Sequence, residues 1–205
     1  MKKYPPPVHR TILIADVQNF GDPARTNSDQ IAVRDGMYKS ITNAFAKAKI
    51  DRADYTARDR GDGVLVLISA QVPKNKLVTR LPCLLAAELI RYNARRATAA
   101  QFRMRVALHA GEIHPDDHGV TGASINLAAR LIEARALKAA LAASGDILGL
   151  VVSEWFYGEV VRHDKAAEPS TFRHINVNVK ETRTTAWMRL LGDAQTCGSR
   201  PAPGE

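Results

Sequence analysis

Apolar positions along the chain alternate between two spacings. TILIADV (11–17) is a short apolar run that ends in an acid, the pattern of a buried strand. NFGDPARTNSD (19–29) reads as loop from its Gly, Pro, Asn and Asp content. Met37, Ile41 and Phe45 then recur every fourth residue and make one face of a helix, with Ser28 or Asp29 as its cap. DYTARDRGDGVLVLIS (54–69) predicts a hairpin, two β-rich arms around RGDG. Residues 74–97 carry a leucine stripe at Leu77, Leu81, Leu84, Leu85 and Leu89 and predict a helix. In FRMRVALHAGEI (102–113), Met104, Val106 and Leu108 fall on one side of a strand. PDDHGVTG (115–122) reads as loop, and GASINLAARLIEA (122–134) as helix. LGLVVS (148–153) is a short strand, SEWFYGEVVRH opens a short helix, and TFRHINVNVK (171–180) and TTAWMRLL (184–191) form a closing strand pair. Mixed elements with two hairpins argue against an all-parallel sheet. The expected class is α+β, an antiparallel-rich sheet with helices packed on it. Residues 1–7 and 192–205 read as flexible termini or linker.

Composition narrows the partners. Among 205 residues, 45% are hydrophobic and 24% charged, enough for a sizeable core. No apolar run reaches the ~18 residues of a membrane span. Prolines follow the first lysines where a leader would need its apolar stretch, so a cytoplasmic protein is expected. A net charge of +8 favours an anionic partner, and arginine suits phosphate through its planar fork. The basic residues are spread, without a run or interleaved aromatics, so a nucleic-acid partner is not expected. The two cysteines, Cys83 and Cys197, match no zinc-site spacing.

Charged and amide groups supply the candidate chemistry. Asn126 and Arg130 lie four apart on one helix edge, beside an apolar side expected to contain Leu127 and Leu131. Asp16 ends a buried strand and Asp62 sits in a hairpin turn, both places where side chains emerge at one sheet edge. Two such acids repel unless a cation lies between them, and hard oxygens select Mg²⁺ or Mn²⁺. Acids holding metal beside a phosphate-friendly surface point to phosphoryl transfer. Plainer readings are a solvated turn aspartate, and an Arg130 paired with an acid such as Glu133.

Five segments in order, IADVQNF (14–20), RDRGDG (58–63), MRVALHAGEI (104–113), GASINLAAR (122–130) and INVNVK (175–180), together resemble the class III adenylate/guanylate (nucleotidyl) cyclase catalytic domain. The resemblance spans residues 8–191 and implies a ferredoxin-like βαββαβ core with a C-terminal α/β extension. It implies conversion of a nucleoside triphosphate to a 3′,5′-cyclic nucleotide and pyrophosphate, with two Mg²⁺ or Mn²⁺ ions held by Asp16 and Asp62. Asn126 and Arg130 match residues that serve the partner's site in a head-to-tail homodimer. Lys180 matches a lysine on the terminal phosphates. Phe20 belongs to a loop whose N–H groups cradle phosphate; here that loop reads Asn19-Phe20-Gly21 and is extended by DPARTNS, in which Arg25 could compensate or equally be a surface residue. At the base-reading positions stand Arg58 and Gly119, not the lysine and aspartate that read adenine. A donor-only fork suits guanine O6/N7 or uracil carbonyls better, with His118 or Thr121 as further contacts. Glu181 follows Lys180 where a glycine is usual. A domain with these departures could instead bind nucleotide, or only dimerise, and regulate an attached module.

Overall fold

A computed structural model describes residues 5–192. Within them the first four strands are β1 (Val8–Val17), β2 (Tyr55–Asp59), β3 (Gly63–Ser69) and β4 (Met104–Asp116). They lie in the order β2-β3-β1-β4, with every neighbouring pair antiparallel. Helix α1 (Asn27–Lys47) links β1 to β2, and α2 (Lys76–Thr79) with α3 (Leu81–Asn93) links β3 to β4. This is the expected ferredoxin-like βαββαβ core. A short strand β5 (Gly119–Thr121) pairs back on β4. Helices α4 (Ala123–Ile132) and α5 (Arg135–Ala143) follow, then β6 (Leu148–Ser153), β7 (Arg173–Val179) and β8 (Thr182–Leu191). β6 pairs parallel with β4, and β8 and β7 extend the sheet beyond it.

The period-2 parity of the strands divides the core into two layers. Leu13, Ala15 and Val17 of β1 join Met104, Val106 and Leu108 of β4 under α1, α2 and α3, where Met37, Ile41, Phe45, Leu77, Leu81, Leu85 and Leu89 are buried. Ile12 and Ile14 face the other way, with Ala107, against Ile125, Ala128, Leu131 and Ile132 of α4. Asp16 shares that second parity, so it emerges on the α4 side.

Local chemistry moves several boundaries. Thr26, not Ser28 or Asp29, caps α1. Its hydroxyl accepts from the Asp29 N–H and the Asp29 carboxylate accepts from the Thr26 N–H, a reciprocal capping box. The single helix expected over 74–97 breaks at Arg80, and Pro82 sits in the first turn of α3. The stretch expected as loop after residue 114 is largely a hairpin, because β4 runs on to Asp116 and Gly119–Thr121 pairs with it. On α4 the buried residues are Ile125, Ala128, Leu131 and Ile132; Leu127 is only half-buried, so the apolar side is rotated away from the expected Leu127/Leu131 line. Buried Glu88 joins α1 to α3 by accepting from Asn43 (3.2 Å) and Lys47 (2.6 Å) and pairing with Arg91. Among the described residues no helix is long and apolar enough to cross a membrane. Cys197 lies outside the described residues; Cys83 packs half-buried against the α1 layer.

Candidate active site

Strand register brings the two acids together. Asp16 stands opposite Gly63 on β3, one residue from Asp62, and the Val17 N–H donates to the Asp62 carbonyl (3.0 Å). Gly63 is needed there, since a Cβ would lie 2.4 Å from the Ala15 carbonyl. Both acids line a cleft of about 300 Å³, together with Arg130 from α4, Glu133 just after it and Lys180 from the β7–β8 turn. Four of the sequence-predicted residues therefore meet in one place within one chain.

The two acids differ in setting. Asp62 is exposed. Asp16 is buried, and Arg105 of β4, directly across the register, donates to both its carboxylate oxygens (Nε 2.8 Å, Nη2 2.9 Å). Burial pushes the Asp16 carboxyl up to about 6; Arg105 offsets part of this, and the charges of Asp62 and Glu133 add to the rise. Arg105 belongs to the quoted MRVALHAGEI segment, but only the β1–β4 register reveals its partner.

Arg130 is held by Glu181, whose Oε1 accepts from Nε (3.2 Å) and Nη2 (2.9 Å). Arg130 thus pairs with an acid, as the plainer reading allowed, but that acid is Glu181, whereas Glu133 pairs with Lys138. The Glu181 carboxyl is held below its usual range first by its own backbone N–H and then by Arg130. Lys180 begins the tight turn joining Val179 to Thr182 and has φ 52°, a left-handed conformation where glycine is the default. Asn126 is exposed on the α4 edge.

A second cleft, of about 280 Å³, contains Arg58 with Arg10 and Tyr55. The Arg58 guanidinium lies against Gly119: a Cβ there would meet Nη1 at 2.6 Å, and Gly119 itself has φ 146°. His118 and Thr121 line a separate hollow of about 310 Å³ on the β4–β5 hairpin rather than the Arg58 cleft. Phe20 packs partly buried against the α1 core layer. Arg25 is half-buried, and its guanidinium donates to four main-chain carbonyls. His109 of the HAGEI segment is buried with Nδ1 2.8 Å from the Ser153 hydroxyl, and burial pushes its pKa down to about 4.

Among the described residues no three His, Cys, Asp or Glu side chains cluster as a metal-holding group. Two acceptor-only carboxylates on one cleft wall still suit a hard divalent ion whose remaining ligands are waters and substrate phosphates. The charge of Asp62 adds a lesser share to the rise at Asp16, after burial, and a divalent ion at the cleft would offset it.

No protein-family model and no curated protein matches the sequence. Solved structures do. The adenylate/guanylate cyclase/hydrolase from Silicibacter pomeroyi superposes with a TM-score of 0.64 at 20% identity, over 92% of this chain and 99% of that one. The guanylyl cyclase Cya2 does so at 0.63 and 16%, over 93% and 95%. The guanylate cyclase domain of RhGC from Catenaria anguillulae, solved with GTP, gives 0.55 and 14%, over 90% and 96%. The chain has the fold of the class III nucleotidyl cyclase catalytic domain.

Proposed function

We propose that this chain is a class III-type nucleotidyl cyclase that works as a head-to-tail homodimer. The observation that carries the reading is the convergence of Asp16, Asp62 and Lys180 on one cleft in this fold. The two acids would hold two Mg²⁺ or Mn²⁺ ions. When bound, these supply Lewis-acid stabilisation of the phosphates and ease deprotonation of the ribose 3′-hydroxyl. Lys180 offers its ammonium to the terminal phosphates. Arg130, with Asn126 one turn earlier on the same edge, would place the ribose and meet the charge that develops on the α-phosphate as pyrophosphate leaves.

Arg58 is the base reader in this account. It presents only donors, and Gly119 provides no acceptor beside it. Guanine O6/N7 or the carbonyls of uracil satisfy such a fork, whereas adenine also offers a donor that it cannot answer. Purified protein with Mn²⁺ and each of the four NTPs should release cyclic nucleotide and pyrophosphate, with GTP or UTP ahead of ATP. No product above an Asp62→Ala control ends the enzyme reading.

The left-handed Lys180 provides a second test. A non-glycine residue in that conformation costs about 1 kcal/mol. Lys180→Gly should therefore raise the unfolding free energy by up to about 1 kcal/mol while weakening the binding of a non-cyclisable NTP analogue about tenfold. Thermal melts and calorimetry read the two effects separately. A glycine variant with unchanged affinity would remove Lys180 from the phosphate site.

One alternative has specific support. Arg105 occupies both oxygens of Asp16, and Glu181 occupies Arg130. A domain locked in this way would bind nucleotide without turning it over and act as a regulator. Calorimetric binding of an NTP analogue with no product from the natural NTP would favour it.

A further inference from the structure

Arg25 lies in the extension that follows Asn19-Phe20-Gly21. Its guanidinium donates to four main-chain carbonyls: Nη1 to Asn19 (2.5 Å) and Phe20 (3.1 Å), Nε to Ala99 (3.0 Å) and Nη2 to Gln101 (2.9 Å). One half-buried side chain thus ties the loop after β1 to the turn before β4. Peptide planarity gives this a consequence. In a trans peptide the carbonyl and the following N–H point in opposite directions. Drawing the Asn19 and Phe20 carbonyls onto Arg25 turns the Phe20 and Gly21 N–H groups away from it. Among the described residues, the N–H groups of Asn19, Phe20 and Gly21 make no close hydrogen bond. Asn19 is left-handed, with φ 53°. Consecutive N–H groups around such a residue form an anion-binding concavity. This one leaves β1 at the end that carries Asp16.

We propose that Arg25 is a positioning residue which shapes the Asn19–Gly21 main chain into a cradle for the substrate's polyphosphate. It acts as a multi-donor fork and not as a positive charge. The proposal rests on the nucleoside-triphosphate reading above but concerns a residue of this chain's own loop extension. A lysine cannot replace it, because a single ammonium cannot reach carbonyls on two segments.

The test compares Arg25→Lys with Arg25→Ala in the full chain with Mn²⁺, using inorganic tripolyphosphate as the probe in calorimetry. Both variants should lose about tenfold or more in affinity, the lysine as much as the alanine. Mn²⁺ binding without polyphosphate, followed by electron paramagnetic resonance, should stay within about twofold, since Asp16 and Asp62 are untouched. In turnover, KM should rise with little change in kcat, and N-ethylguanidinium, but not ethylammonium, should restore the alanine variant. A lysine variant that binds like wild type reduces Arg25 to a charge and overturns the proposal, as does wild-type affinity in both variants or no binding by wild type. Should the Arg25 variants fail to fold, Gly21→Pro removes one cradle N–H directly: a similar loss of affinity supports the proposal, and unchanged affinity overturns it. Wild type that binds tripolyphosphate but makes no cyclic nucleotide refutes the enzyme reading alone, and the lysine–alanine comparison still decides the role of Arg25.

Discussion

Asparagine at position 16 is expected to abolish turnover, by about a thousandfold or more, while leaving the protein at least as stable at pH 7 as wild type. Asp62→Asn should abolish turnover equally and leave stability unchanged. The difference follows from burial. Asp62 is exposed, whereas Asp16 is buried with its carboxyl pushed up to about 6 from an unfolded value near 3.8. A carboxyl whose folded pKa is raised binds its proton more tightly when folded. Its contribution is fully present below pH 3.8 and is lost as pH rises through 6, an upper limit of about 3 kcal/mol. The asparagine variant has no such proton to lose, so its melting temperature should not fall through that window as the wild type's does. Mn²⁺ should restore the wild type and neither variant. The competing view treats Asp16 and Arg105 as a structural ion pair. Removing one member of a buried pair then costs about 3–5 kcal/mol, and Asp16→Asn would melt well below wild type. That outcome would make the acid part of the scaffold and withdraw its proposed role as a metal ligand.

Much of the fold follows from periodicity alone. Strict alternation in β1 and β4 sets which side chains meet α1 and which meet α4, and Met37, Ile41 and Phe45 are buried as their spacing requires. Helix α5 has no counterpart in the pattern, because RALKAALAA offers only Leu137 and Leu141 as buried anchors and follows α4 almost directly. The hairpin at Asp116–Gly119 is hidden by polar turn residues that also suit a loop. In the site, Asp16 and Asp62 could be placed on one edge from local signals, since a strand end and a tight turn both face outward. The pairings Asp16–Arg105 and Arg130–Glu181 could not, because each joins segments more than fifty residues apart whose contact is set by strand register and helix placement. Arg25 is a similar case: its sequence offered compensation for the altered loop or a plain surface position, and only the fold shows four of its five donors taken by main-chain carbonyls.

Arg130 carries the most consequential ambiguity, and mixing two inactive proteins resolves it. Arg130→Ala alone should reduce kcat by about 10²–10³-fold, the usual cost of losing a donor at developing transition-state charge. In a head-to-tail dimer Arg130 serves the partner's acids. A heterodimer of Arg130→Ala with Asp62→Ala then holds one site with both defects and one with neither. Random pairing makes about half the dimers heterodimers, so an equimolar mixture should recover about a quarter of wild-type activity. The single chain offers a rival arrangement, for Arg130 already lines the cleft of its own Asp16 and Asp62 through its bond to Glu181. If Arg130 works there, every site in the mixture carries one defect and no activity returns. Glu181→Gln separates the two further. Releasing Arg130 from its own chain should raise the recovered activity if the arginine must cross to the partner, and lower wild-type activity if Glu181 orients it in place. Recovery near a quarter thus requires the Asn126/Arg130 edge of α4 to lie across a subunit boundary, whereas no recovery confines the chemistry to one protomer and ends the head-to-tail assignment.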